Sequence, residues 1–414
     1  MIQDVAFAGP GVRLTDRIGL GVLTRLIGRD VIDEVLAETG RTERRSRLLP
    51  ARVVVYYVLA LCLFFGEGYE EVMRRLAEGL RWLGSWQGQW RVPTTGALAQ
   101  ARQRLGAGPL QMLFERLAVP MARPGTRGAW LGGRRLMAID GVVLDIPDTK
   151  ANAAGFGRPG SDQNPGPFPQ VRIAGLCECG TRAVVAARLA PFRSSERALA
   201  EDLLPGLGPG MLVLADRGFY SYLLWHKAAA THADLLWRVS ATLSLPPVKA
   251  LPDGSYLSFL VDPKLRALRY DQIRKGCKVV TDLTGTTVRV IEYEIPDRNG
   301  EPEVICLITT ILDPADAPAA ELAAAYSERW EIETAFAELQ TSQKGPGRVL
   351  RSKSPDMVRQ EIWAFLLTHY AIRDLICQAA EQADTDPDRL SFIRSLRIVR
   401  RQVTDQAGFS PRTA

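Results

Sequence analysis

Apolar positions recur at helical spacing through the first part of the chain. From residue 134 they fall in short strand-like runs, and after about residue 316 they return to helical spacing. The first part predicts helices over Val22–Leu36, Leu49–Phe65, Tyr69–Trp82 and Thr94–Leu105, separated by glycine-containing breaks. The fourth opens on a Thr94 cap and stops at Gly106. Beyond residue 134, Arg135–Ile146 predicts a buried strand. A loop rich in Gly, Pro and Asn follows over Asn152–Pro169. Gln170–Leu176 and Thr181–Leu189 then predict a hairpin across the turn Cys177-Glu178-Cys179-Gly180. Ser195–Leu207 reads as a helix, Met211–Ala215 as a short buried strand, Tyr220–Ala230 as a helix and Leu235–Ser240 as a strand. Strands interleaved with helices in this order describe a mixed sheet covered by helices.

Residues 242–310 break the rhythm with β-type segments at Tyr256–Val261, Gly276–Asp282, Thr286–Ile295 and Val304–Ile311. They predict a β-rich insertion whose last strand rejoins the main sheet. Ala317–Gln340 then predicts one long helix and Ser354–Ala380 another, with a charged, frayed tail beyond 383. The expected fold class is therefore α/β (α+β mixed). Its expected domains are a helical one over 1–130, a mixed sheet-and-helix one over 131–345 interrupted by the insertion at about 242–300, and a helical region over 346–414.

Composition narrows the class. The longest apolar run, Val53–Phe65, is too short for a bilayer and fits a buried helix. No secretory leader pattern is present, and six scattered cysteines read as reduced thiols, so a cytoplasmic protein is expected. Cys177 and Cys179 lack a second pair or a nearby His, which argues against zinc. The net charge of +6 is unevenly spread. Residues 1–135 carry 20 Arg and no Lys against 12 Asp and Glu, residues 341–414 are also basic, and the middle is acidic. Basic flanks around an acidic centre suit a nucleic-acid binder whose centre needs cations. Arg102 and Arg104 are candidate phosphate contacts; the competing reading makes them solvated arginines on a packed helix. Trp82, Trp86 and Trp90 read as packing residues.

The chemistry lies in three carboxylates. Asp140 ends the apolar run Leu136–Ile139, Asp216 ends Met211–Ala215, and Glu333 lies in a helix. Two strand-end aspartates and a helical glutamate suit divalent metal ions working on a phosphodiester. At 100° per residue, Tyr326, Arg329, Glu333 and Gln340 share a stripe about 60° wide, while Glu328, Glu331 and Glu338 are expected to face solvent. Taken singly, each aspartate also reads as turn chemistry, and Glu333 as a partner for Arg329.

Together these residues resemble the DDE transposases of bacterial insertion sequences, and within them the insertion-sequence-four family. That family's signature is Tyr, two residues, Arg, three residues, Glu, six residues, Lys. Here it reads Tyr326, Arg329, Glu333 and then Gln340 where the family has Lys. Ile139-Asp-Gly, Pro147-Asp-Thr, Asp216-Arg-Gly-Phe and Leu350-Arg-Ser-Lys-Ser-Pro fit the same resemblance. It implies an RNase H-like catalytic core with Asp140, Asp216 and Glu333 as catalytic metal ligands, two Mg²⁺ ions (Mn²⁺ able to substitute), and cut-and-paste DNA transposition, with a hairpin intermediate common in the family. The implied partners are double-stranded DNA, as terminal inverted repeats and target, and a second copy of the chain in the synaptic complex. The implied setting is the bacterial nucleoid. Tyr326 and Arg329 would grip phosphates. Lys344 is placed to stand in for the missing Lys, and Arg348, Arg351 and Lys353 form a candidate phosphate strip, or else a solvated loop. Tyr256, Phe259 and Tyr270 are candidates to stack on an extruded base. Two other readings are a non-catalytic DNA-binding descendant acting as a repressor, and a metal-dependent nuclease without strand transfer.

Overall fold

The computed structural model describes residues 20–43, 49–81, 92–161, 163–275, 285–296 and 302–404. Helices α1 (Arg29–Glu38), α2 (Ala51–Leu63), α3 (Tyr69–Arg81), α4 (Thr95–Leu105) and α5 (Gly108–Leu117) form the N-terminal part. The Thr94 hydroxyl caps α4 by accepting from the Ala97 N–H at 3.3 Å. Gly106 closes the helix at φ +71°, a conformation that favours glycine. Trp82, Trp86 and Trp90 lie outside the described residues.

Next come β1 (Trp130–Leu131), β2 (Arg134–Asp145), α6 (Lys150–Phe156), β3 (Gln170–Glu178), β4 (Ala183–Pro191), α7 (Glu196–Glu201), β5 (Met211–Ala215), α8 (Tyr222–Ala229) and β6 (Asp234–Val239). The strands stand in the order β4-β3-β2-β5-β6, with β2, β5 and β6 parallel and the β2-β3-β4 edge antiparallel. This is an RNase H-like core. Helix α6 is a correction to the sequence reading, which places loop from Asn152. The Thr149 hydroxyl caps this short helix by accepting from the Asn152 N–H.

The insertion holds β7 (Lys249–Ala250), β8 (Tyr256–Leu260), α9 (Pro263–Arg274), β9 (Thr286–Pro296) and β10 (Pro302–Thr309). Strand β10 pairs with β6, so the insertion extends the main sheet. Helix α9 is an addition to the expected β-rich pattern. The expected strand Gly276–Asp282 falls outside the described residues, as does the Tyr270 side chain.

After the sheet come α10 (Ala319–Ser327), α11 (Trp330–Ala337), a π-helical turn over Glu338–Gln343, α12 (Pro355–Gln382) and α13 (Phe392–Thr404). Two expectations fail here. The helix over Ala317–Gln340 is not uniform. At its middle Glu328 and Arg329 donate their N–H groups three residues back, a 3₁₀ tightening. At its end the Lys344 N–H reaches five residues back to the Leu339 carbonyl, a π loosening. The tail beyond 383 does not simply fray: α13 buries Phe392, Leu396, Val399 and Val403.

The sheet separates two apolar clusters. Leu136, Ala138, Leu212 and Leu214 face the one that contains α10–α12 and the N-terminal helices. Met137, Ile139, Val213 and Ala215 face the one built with α7 and α8. By strand alternation Asp140 continues the face of Leu136 and Ala138, and Asp216 continues that of Leu212 and Leu214. Both aspartates therefore point toward the side of the sheet that α11 covers.

Candidate active site

The parallel pairing of β2 with β5 ends at Ile139 opposite Ala215. Asp140 and Asp216 are the next residues on each strand, so they emerge side by side where the apolar runs stop. On the other flank of β2, Asp140 pairs with Gly175. A Cβ on Gly175 would lie 2.9 Å from the Phe336 ring, so the bare backbone lets Phe336 seat α11 close to the sheet. That seating brings Glu333, one turn earlier on α11, to the two aspartates.

Arg329 joins the three segments. Its Nη1 donates to Asp140 Oδ2 at 3.2 Å and lies 2.9 Å from Glu333 Oε1. The Tyr326 hydroxyl makes a long contact of 3.5 Å with Asp216 Oδ1. Arg329 is buried, and its guanidinium lies over the rings of Tyr326 and Trp330 at 5.9 and 5.3 Å. Its Nε is buried without an acceptor. Burial works against the charge of Arg329, but Tyr326, Asp140, Glu333 and Asp216 raise its pKa overall.

Asp140 is the strained carboxylate. Burial pushes its pKa up to about 6, against the pull of the Gly141 N–H and Arg329, and the charges of Glu333 and Asp216 add to the rise. A carboxyl desolvated beside two others is a place where a cation is favoured. As they stand, no three His, Cys, Asp or Glu side chains among the described residues close on one ion. The donors nevertheless fit Mg²⁺: they are all carboxylate oxygens, and Mg²⁺ takes one or two carboxylates and completes its shell with water and phosphate.

Two family models match the chain. One, described as the insertion element 4 transposase N-terminal domain, covers residues 17–115, and one described as a transposase DDE domain covers residues 131–370. The transposase InsG of insertion sequence element IS4 from Escherichia coli (strain K12) is 30% identical over 386 residues, covering 92% of this chain and 82% of InsG. The chain is a DDE transposase of the insertion element 4 family. Membership makes it an enzyme of DNA cleavage and strand transfer, in a family that uses divalent metal ions. Neither the repressor nor the bare nuclease is favoured. The putative transposase InsZ of the same organism is 29% identical over 195 residues, which are 46% of this chain and 61% of InsZ. A cryo-EM structure of a piggyBac transposase synaptic complex with hairpin DNA has a TM-score of 0.48 at 10% identity, covering 93% of this chain and 80% of that one.

Several expected roles in the transposase need correction. Arg102 is buried in the helical part and cannot face a phosphate: it donates to Gln360, Tyr69 and Ser352 at 2.9, 2.7 and 3.0 Å. Arg351 is likewise spent. Its guanidinium donates to the Glu67, Leu61 and Phe64 carbonyls at the end of α2 and stacks on Phe65. Arg104, Arg348 and Lys353 are exposed, and Gln340 is half-buried. Lys344 turns its ammonium to the Arg348 carbonyl and is half-buried, which lowers its pKa.

The glutamates expected to face solvent depart furthest from expectation. Glu331 is buried and held bidentately by Arg182 at 2.8 and 3.0 Å. Glu338 is buried against Arg373 and His369. The uniform helical wheel fails because the helix tightens and then loosens. It also fails because its outer side is roofed by the β3–β4 turn, α12 and α13. Two further residues of the site, Trp330 and Gly175, escape the sequence reading. Trp330 is 57% exposed beside Arg329. An unbroken Glu-Arg-Trp-Glu run in an otherwise apolar helix is the available signal for it.

Proposed function

We propose that Asp140, Asp216 and Glu333 hold two divalent ions, Mg²⁺ or in its place Mn²⁺, and that the transposase moves its element by cut-and-paste through a hairpin intermediate. The observation that carries the site assignment is Arg329, which reaches Asp140 and Glu333 with one nitrogen while Tyr326, a turn earlier, reaches toward Asp216. Bound ions would activate the attacking oxygen and stabilise the leaving oxygen in line. The chain's own residues supply the rest. Asp140 and Asp216 present oxygens from adjacent strands, Glu333 closes the third side, and Arg329 holds Asp140 and Glu333 in place. The Arg329 Nε is buried and has no acceptor, so Arg329 acts through the Nη1 that reaches Asp140 and Glu333 rather than by offering Nε to a phosphate. Gln340 offers a hydrogen bond where the family's lysine would offer charge. Two ends must meet for cut-and-paste, so the working unit is a homodimer bound to two terminal repeats, at the nucleoid.

The test uses purified protein with labelled element ends, a target plasmid and Mg²⁺. Wild type should give joined products, and EDTA should abolish them. Asp216→Ala should bind the ends with wild-type affinity and cleave none. Normal cleavage by that variant would show that the ligands are misassigned. Cleavage without joining would point to a nuclease, and binding alone to a repressor.

A further inference from the structure

At the far end of the signature helix, the π turn, the end of α2 and α13 enclose a pocket of about 350 Å³. Its walls carry Lys344, Arg348, Arg400, Arg401 and Arg75, with Glu67 as the acid among them. Arg75 already sits 2.5 Å from Glu67 and 3.7 Å from Glu71. Arg348 is exposed and has no ion-pair partner among the described residues. Positive charge therefore exceeds negative charge in a concave site. Arg400 feels this: burial lowers its pKa, Glu67 pulls the other way, and Arg397, Arg348 and Arg75 lower it further.

The cations are placed, not merely crowded. Arg400 donates its Nε to the Leu63 carbonyl at 2.5 Å. The Arg348 guanidinium lies against the backbone of Gly66, where a Cβ would come within 2.9 Å of its Nη1. Gly345, at φ +94°, makes the turn that brings Arg348 back to the pocket. Such a fork on a rigid seat suits a phosphate oxygen pair.

We propose that this pocket binds a backbone phosphate of the element's end and thereby fixes the π turn that continues the Glu333 helix. The proposal rests on the reading of the protein as one that acts on DNA ends. Ser342, Gln343 and Lys344 belong both to the pocket wall and to the end of that helix. Gln343 is also hydrogen-bonded to Thr368 of α12, so the helix end is anchored on one side and open to the ligand on the other. An anion in the pocket would hold the second side.

The experiment measures binding of a fluorescein-labelled end duplex to the full chain as a function of KCl. Arg348→Ala should lower the slope of log K against log salt by about one phosphate contact. Its melting temperature should be unchanged, since the side chain is exposed. Replacing successive phosphates by methylphosphonates should find one position that weakens wild type and leaves Arg348→Ala unaffected. End DNA should slow amide exchange over residues 338–344 in wild type and not in the variant. If wild type binds and cleaves ends while Arg348→Ala keeps the full salt slope and the exchange protection, the pocket proposal is wrong and the transposase reading stands. If wild type fails to bind ends at all, both fall.

Discussion

Glu331 and Glu333 are two residues apart and do opposite work. Glu333 is partly exposed beside Arg329 and Asp140, where a carboxylate is available to chemistry. Glu331 is enclosed, and both its oxygens are taken by Arg182. Breaking a buried pair costs about 3–5 kcal/mol when it strands the other charge, but Arg182 also lies 3.0 Å from Asp388 and 3.6 Å from Glu338, so the loss of Glu331 is softened. Glu331→Ala should therefore lower the urea-unfolding free energy by about 1–3 kcal/mol, whereas Glu321→Ala, on the exposed side of α10, should change it by under about 0.5 kcal/mol. The double variant Arg182→Ala/Glu331→Ala should lose less than the sum of the singles. A fully additive double variant would mean that the pair is not coupled. The catalytic effect of Glu333→Ala should be the reverse: strand cleavage lost, stability nearly kept.

At the scale of elements, the site is a matter of how closely α11 lies on the sheet. Gly175 sets that distance through the Phe336 ring. Gly175→Ala should push the ring outward, cost about 1–3 kcal/mol by overpacking, and reduce cleavage by displacing Glu333. Phe336→Leu in the same protein should restore part of the cleavage by making room; no recovery would show that the glycine acts otherwise. Much of this arrangement was legible in the sequence. Asp140 and Asp216 stood out because each is the first charge after a buried apolar run; Asp216 follows the end of β5, whereas β2 continues past Asp140 to Asp145 and only its pairing with β5 stops there. The order of strands and helices likewise announced the sheet. The burial of Glu331 was not legible, because its partner Arg182 lies 149 positions away and only the fold brings them together. Nor could Arg102 be assigned to the interior from its neighbours on α4, since Gln360 and Ser352, which surround it, lie on and just before α12. The 3₁₀ and π segments were not legible either, because a uniform 100° wheel assumes the i→i−4 pattern that Glu328, Arg329 and Lys344 depart from.

Across the whole molecule, α12 is the common support. It buries residues against the N-terminal helices and the sheet in one continuous apolar cluster, and it carries His369 and Arg373 to Glu338 at the π turn. His369 is fully buried and stacked on Phe392 of α13, so this polar group joins three helical segments. Burial lowers its pKa, with Arg373 and Arg182 acting in the same sense and Glu338 against it. A neutral His369 donates from Nε2 to the Glu338 carboxylate, whose own pKa is lowered by His369 and Arg373 against the effect of burial. The sign follows from proton counting. Below its ordinary value of 6.5 the unfolded chain protonates His369 while the folded chain does not, so acidification favours unfolding there. Asp140 and Asp388, both raised to about 6 by burial, oppose this, because they take up protons more readily when folded. The wild-type slope is thus a sum, and the informative quantity is a difference. His369→Gln keeps a donor for Glu338 and removes the titration. Urea unfolding between about pH 6.5 and 5 should show the variant losing less stability on acidification than wild type, by up to one proton's worth of slope. Parallel curves for the two proteins would mean that His369 titrates alike folded and unfolded, and that the joint of α12, α13 and the signature helix is insensitive to acid.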